Sequence, residues 1–536
     1  MKKIGVMFSL LFIGLSLILA SCGNNNLPTI TGELDLVIYK TAIIAKSSFV
    51  DTDEHDLYYD NVKVYVTVDS TGEEAKQISR KDVTIVKPTV AEPEEGQETV
   101  IDKNMSGNKV EITKLEADTN YIVKLIISAG GSQKTLDQEE ITTLSSGDSE
   151  EDPILINNLD MFMGMNKELD AYYKLTADID CGGALSTIFN SSAIFTGTFD
   201  GGGHKIYNFK MEANNYTGLF GYMSGATIKD LVIENVSYDA TRSDTYLGAL
   251  AGRAKRCTIS NVFVNGVNFT HSGQTSRTAY IGGLIGSAEN CTITNCQVND
   301  LSISIPKAQL KIYTGGFVGF NSSSKISNSY VQGKLEATIT YTANENGIVY
   351  LGGFAGVNDS TLGINSCYSK VNINVKEQET VTSSGYKTHS TFVGGFVGSN
   401  IHNGAKYFDC ASIGSINVSI RNGYFVYAAG FVANTVADSV ARFENCVYVP
   451  MGNGFNLELA PKVEDKEIEQ TAYWSLATAN LTELSQQYVN NMIVYDVYQS
   501  TYEVINSHDN TTKTDWVQSQ NLDAFSDFVK NAIINN

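Results

Sequence analysis

Four residues could carry acid–base chemistry if the fold brought them to one groove: Asp178, Asp180, Asp200 and His204. Glycoside hydrolysis needs two carboxylates facing each other about 5–10 Å apart, and eliminative cleavage needs a base beside neutralising cations. The same carboxylates could hold calcium. Asp178 and Asp180 alternate onto one strand face, whereas Asp200-Gly201-Gly202-Gly203 reads better as a turn that needs positive φ. The six histidines, His55, His204, His271, His389, His402 and His508, have no recurring partner, and the chain has no GxSxG, HExxH, Walker or Rossmann fingerprint. The expectation is a chain with no catalytic residue, no cofactor and no metal site. Cleavage of polysaccharide by a lyase or hydrolase is the first alternative.

An aromatic set recurs along the chain: Tyr216, Tyr246, Tyr280, Tyr313, Tyr350, Phe392 and Tyr427. Stacked on successive coils, such rings could offer flat apolar faces with polar tips to sugars. The simpler reading, which we prefer, packs them over backbone exposed by neighbouring glycines, where they stiffen a coil edge. The eight cysteines are Cys22 and seven others, an odd number that cannot all pair within the chain. Cys296, Cys367, Cys410 and Cys446 share a repeat position with Val262 and Ser329, which suits a small inward-facing site. Buried free thiols are therefore expected, with ladder disulfides as the alternative; Cys291 and Cys296, five apart, should face opposite ways, and Cys181 stands apart from the series.

The elements that position these residues come from an internal repeat. Each ring lies two or three residues before one of seven Gly-rich pieces: Gly218-Leu219-Phe220-Gly221, Ala249-Leu250-Ala251-Gly252, Gly283-Leu284-Ile285-Gly286, Gly316-Phe317-Val318-Gly319, Gly353-Phe354-Ala355-Gly356, Gly395-Phe396-Val397-Gly398 and Gly430-Phe431-Val432-Ala433. Their starts lie 31 to 42 residues apart, and each is followed by further short strand patterns such as Cys257-Thr258-Ile259-Ser260-Asn261-Val262 and Leu301-Ser302-Ile303-Ser304-Ile305. Three short strands per period predict the coils of a right-handed parallel β-helix over residues 154–450. A single coil cannot bury its own apolar face, so the array is needed for stability. Equivalent residues should stack about 4.8 Å apart, with Asn261, Asn295, Asn328 and Asn445 bonding between coils and Asp409 substituting in its own. These repeats resemble the GLUG-motif family of bacterial cell-surface proteins, and Tyr172 to Asp180 with Phe195 to Ile206 is similar to the segment that leads into them. The resemblance implies architecture and a surface location, with no reaction attached.

The ends read differently. Lys2 and Lys3 precede an apolar run, Ile4 to Leu19, too short to span a membrane comfortably, and Leu19-Ala20-Ser21-Cys22 follows. This resembles the bacterial lipoprotein signal, which implies a removed leader (1–21), acyl chains on Cys22, a tether (22–26) and an outer-membrane site at the cell surface. Several acyl chains on one cysteine, at about 0.8 kcal/mol per buried methylene, hold a protein to a membrane without a spanning helix. Residues 27–145 alternate apolar and polar over short runs, which predicts a β-sandwich. Leu115 to Tyr121 resembles the tyrosine corner of fibronectin type III and immunoglobulin-like domains, with the Tyr121 hydroxyl bonding back to the backbone. Lys87 to Asn108 reads as a long loop and 146–153 as an acidic linker. In the tail, 451–536, Thr482 to Tyr495 and Leu522 to Ile534 have helical spacing and are expected to cap the last coil, with Trp474 and Trp516 as core anchors.

The fold class expected is therefore all-β: a sandwich, then a β-helix, then a small partly helical cap. The formal charge of −21, from 38 Lys plus Arg against 59 Asp plus Glu, excludes a nucleic-acid partner, since phosphate binding needs a concentrated basic surface. Losing Lys2 and Lys3 with the leader makes the chain two units more acidic. The function expected is that of a lipid-anchored, monomeric surface protein, an adhesin or binder of glycan or host protein; a structural stalk is the second alternative.

Overall fold

The computed structural model describes residues 30–38, 42–51, 62–71, 75–86, 104–117, 119–129, 131–143, 147–240, 246–271, 278–308, 311–340, 348–378, 390–402, 404–420, 425–435, 442–448, 455–459, 472–475, 492–496, 501–505, 516–517 and 526–534. The leader, the tether, Cys22 and most of the 87–108 insert lie outside the described residues. Packing divides the chain into two units, 1–145 and 146–536.

In the first unit two antiparallel sheets face each other. Ile30–Ile38, Ala42–Asp51, Asn104–Gly107, Ile85–Val86 and Val110–Thr113 form one; Gln77–Val83, Val62–Ser70, Asn120–Ala129 and Ser132–Thr142 form the other. Period-two alternation puts Ile43, Phe49, Val66, Val123, Leu125 and Ile127 between them, fully buried. Asn104–Gly107 falls within the segment expected to be loop, because it pairs with both Ala42–Asp51 and Ile85–Val86. Tyr121 is buried, and its hydroxyl accepts the Glu116 N–H at 2.9 Å across the corner.

The second unit is a parallel β-helix with three sheets. The first contains Tyr216–Thr217, Tyr246–Leu247, Ala279–Gly282, Ile312–Gly315, Ile348–Gly352, Ser390–Gly394, Phe425–Ala429 and Ala472–Ser475; the second runs from Tyr222–Ser224 to Val432–Thr435. The GxxG piece is the corner between them, and it is itself bonded from coil to coil: the N–H groups of Leu284, Phe317, Phe354 and Phe396 donate to the carbonyls of Phe317, Phe354, Phe396 and Phe431 at 2.8–3.0 Å. The central aromatics of these corners form a buried column, Phe317, Phe354, Phe396 and Phe431, with ring centroids 4.7–4.8 Å apart.

The third sheet departs from the expected short strand. Its strands reach 14 to 16 residues, as in Thr227–Ala240, Thr258–His271 and Lys325–Thr340, and they bend instead of ending. The bends are residues in the left-handed region: Asp230, Asn261, Asn295, Asn328, Ser366 and Asp409 at one corner, Asn208, Asn235 and Asp300 at the next. Asn and Asp tolerate that conformation better than other side-chain-bearing residues, which is why they recur there. Each bend also shifts side-chain parity by one. Cys291 and Cys296 are consequently both buried, against the expectation that they face opposite ways, because Asn295 at φ 52° resets the alternation between them.

The first coil is covered by elements the repeat does not predict. Leu159–Met163 and the 3₁₀ turn Gly164–Lys167 place Phe162 and Met165 over the first coil, where Phe162 meets Phe199 and Phe220 edge-on. Parallel pairing continues past residue 450 through Phe455–Leu459 and Ala472–Ser475. Met492–Asp496 is a strand, not the end of a helix; it pairs parallel with Arg442–Tyr448 and antiparallel with Thr501–Ile505. The helix Asp527–Ile534 lies against the side of the third sheet instead of the last coil, since Phe528 packs on Tyr330 and Tyr368 and Ser526 N–H donates to Asp409.

Candidate functional site

The acid–base candidates sit at the start of the β-helix, where Asp180 and Asp200 each hold a turn and Asp178 bonds to the next coil. Asp178 Oδ1 accepts the Lys205 N–H at 3.2 Å and meets His204 Nδ1 at 3.1 Å. These partners, the backbone donor first, hold its pKa below the usual carboxylate value. Asp180 accepts the Gly182 N–H at 3.0 Å and the Asn208 amide at 3.2 Å. Asp200 accepts the Gly202 N–H at 2.8 Å inside a turn where Gly202 and Gly203 take φ of 58° and 79°. Lys229 lies 3.7 Å from Asp200 and also pairs with Glu150. Asp178 and Asp180 share the outer face, with buried Ile179 between them.

The seven aromatic positions are in register along the first sheet, Tyr216 beside Tyr246 and so on through Phe392 to Tyr427, and Tyr473 continues the row. From Tyr216 to Phe392 the rings turn toward one another. Tyr216, Tyr246 and Tyr280 stack at 4.9–5.1 Å with interplanar angles of 12–16°, and Tyr222 of the second sheet covers Tyr216 at 5.0 Å. Beyond them Tyr313 meets Tyr280 and Tyr350 edge-on, and Tyr350 stacks on Phe392. The Arg253 guanidinium lies 5.5 Å from the Tyr246 ring and is fixed by Glu289 at 2.6 Å. Half-burial pushes the hydroxyl pKa values of Tyr246, Tyr280, Tyr313 and Tyr350 up. A sugar stacks on a ring face, and here those of Tyr216 and Tyr246 are covered by other rings.

The seven cysteines from Cys181 to Cys446 are all buried free thiols. Cys367, Cys410 and Cys446 align on consecutive coils. Burial pushes Cys296 up to about 12, and burial with the Asp180 carboxylate nearby does the same to Cys181. The asparagine ladder forms in part: Asn295 Nδ2 donates to Asn261 Oδ1 and Asn261 Nδ2 to Asp230 Oδ1, both at 2.6 Å, while Asn328 takes the same bend, Asp409 accepts the Ser526 N–H and the Asn445 side chain lies outside the described residues.

A feature outside these candidates is a groove of about 440 Å³ on the third sheet, beyond the second bend. Ser304, Glu336, Asn374 and Asn417 line it from four successive coils in direct register. Asn417 Nδ2 donates to Asn374 Oδ1 at 3.0 Å, and Pro306, Thr338 and Lys376 form a neighbouring row of the lining. The alternation that builds it is visible in Ile303-Ser304-Ile305, Leu335-Glu336-Ala337, Ile373-Asn374-Val375 and Ile416-Asn417-Val418. It escapes attention because the polar residue differs from coil to coil.

Residues 278–304, the third coil, match the GLUG motif family. No curated protein matches the chain. Among solved structures, an IgA1 protease is similar with a TM-score of 0.35 and 14% identity, over 81% of this chain and 30% of that one, so the chain spans under a third of that protease. Pectate lyase Pel3 from Pectobacterium carotovorum aligns at TM-score 0.13 and 10% identity over 84% of this chain and 91% of that one. Pectate lyase PelI from Erwinia chrysanthemi aligns at 0.12 and 10% over 80% and 99%.

Proposed function

We propose that this GLUG-motif-bearing β-helix protein is exported, held to the outer membrane by lipid on Cys22, and binds a glycan or protein of another surface without transforming it. The observation that carries the reading is the state of its carboxylates. Asp178, Asp180 and Asp200 each accept a main-chain N–H, so oxygens that an acid or base would need for substrate hold the backbone in place. A general acid needs the reverse, a carboxyl whose neutral form is favoured, and Asp178 is shifted the other way. The repeat supplies what a binder needs: one surface position displayed again on every coil, on a stiff hydrogen-bonded scaffold.

The test is retention of the purified chain on an array of glycans and host matrix proteins, run beside a turnover assay on the retained glycans. Retention with no released fragments is expected. Cleavage abolished by Asp178→Asn or Asp200→Asn would refute the reading. Cys22→Ser should separately release the protein from membranes and abolish incorporation of labelled palmitate.

A further inference from the structure

We infer that the groove on the third sheet binds an extended, uncharged polysaccharide laid along the β-helix axis, one sugar unit to a coil; this rests on the binding reading above and names its site and ligand class. The first argument is spacing. Ser304, Glu336, Asn374 and Asn417 are direct register partners, so the row repeats once per strand separation, about 4.8 Å, and spans about 14 Å over three steps. An extended hexose chain advances by a similar distance per unit and can present a hydroxyl to each coil. A peptide strand in the same place would meet a row of side chains and no free strand edge, so its N–H and C=O groups would lack their usual ladder.

The second argument is chemistry. The Asn417–Asn374 bond uses one amide donor and one oxygen, which leaves the other Asn417 N–H, the Asn374 amide donors and the Ser304 hydroxyl as the mixed donors and acceptors that sugar hydroxyls require. The third is charge. Glu336 has Lys334 at 3.9 Å and Lys376 lines the groove, so the lining has no net sign, while the whole chain carries −21. That field repels polyanions and leaves a neutral glycan unaffected.

Titration calorimetry on the full chain tests this with soluble β-linked glucan oligosaccharides, with polygalacturonate and with matrix proteins. Two variants probe the groove differently: Asn374→Ala combined with Asn417→Ala removes the amides, and Thr338→Trp fills the space without touching the ladder bond. Circular dichroism checks that both remain folded. The expected result is glucan binding weakened at least about tenfold, equivalent to about 1.4 kcal/mol, by each variant, with Tyr313→Phe on the first sheet unchanged. Glucan binding indifferent to both groove variants, a preference for polygalacturonate, or retention of proteins alone would overturn the groove assignment and leave the binding reading standing. A chain that retains none of the three would overturn both.

Discussion

Gly286→Ala should destabilise the β-helix even though alanine is the better residue for an unstrained backbone. Gly286 has ordinary φ, so the substitution by itself would stabilise by about 0.4–1 kcal/mol through the unfolded chain. The obstacle is space. A Cβ there would lie 2.6 Å from the Gly252 carbonyl oxygen, 2.7 Å from Leu247 N and 2.8 Å from Tyr280 O. All three are backbone atoms of strands clamped between neighbouring coils, so none can swing aside. Recovering ordinary contact at about 3.4 Å means moving the Gly286 backbone from the first sheet by up to about 0.7 Å and from the Gly252 strand of its own sheet by about 0.8 Å, and such overpacking costs about 1–3 kcal/mol. The rigidity of the three neighbours argues for the upper end, leaving a net loss of about 2 kcal/mol. Ala433 occupies the same corner position on the last strand of the second sheet, where the chain already carries a Cβ. Ala433→Gly should therefore cost no more than about 1 kcal/mol, the ordinary penalty of glycine. Urea unfolding of the full chain, followed by circular dichroism, measures both. A Gly286→Ala chain as stable as the parent would refute the claim that the GxxG glycines exist to let two sheets touch through their backbones.

Asn295→Ala should cost about 2–3 kcal/mol, because alanine must then sit at φ 52° and the Asn261 bond is lost as well, whereas Asn295→Gly should lose only about 1 kcal/mol with that bond; equal effects in urea unfolding would show that the bend is not the cause. Phe354→Ala should cost about 3–5 kcal/mol by emptying the column between Phe317 and Phe396, and Phe354→Leu less than about 1.5, since Leu284 fills that position two turns of the repeat earlier; thermal unfolding separates the two. The half-buried tyrosines of the first sheet have folded pKa values above the ordinary 10, so the folded state keeps their protons longer than the unfolded chain does. Their contribution is complete below about pH 10 and is lost as pH rises through the folded values. Melting curves between pH 9 and 12 should fall, and Tyr280→Phe should flatten the fall; an unchanged slope would mean that the ladder hydroxyls are not desolvated.

The coils are legible in the sequence because their strongest constraint is a backbone contact. Only glycine or an occasional alanine fits where the first sheet touches the second, so GxxG recurs with a spacing that survives loops of different length. The bends of the third sheet are less legible for the opposite reason. Asp230, Asn261, Asn295, Asn328, Ser366 and Asp409 take positive φ there, but Asn, Asp and Ser are also ordinary turn residues, so their presence does not distinguish a kinked 14-residue strand from two short ones. Parity arguments fail at the same places. Thr292 and Thr294 point out and Ile293 in as alternation requires, but Cys296 is buried because Asn295 takes up one residue without advancing the pleat. The cover of the first coil is illegible for another reason: Phe162 is buried by contacts with Phe199 and Phe220, far away in sequence, and nothing periodic announces it.

The same logic separates the two rows of outward residues. In the aromatic row every coil carries nearly the same residue, which is what a packed column requires: from Tyr216 to Phe392 each ring packs on the next, face to face or edge-on, and a smaller residue would leave a gap. Uniformity along a solenoid is thus a mark of contact between coils. The groove row is Ser304, Glu336, Asn374 and Asn417, and only the last two bond to each other. Positions under no demand to fit their neighbours are free to differ, and a ligand lying along the axis can then be read unit by unit. On a β-helix the position that varies while staying polar and in register is a better place to seek recognition than the one that repeats.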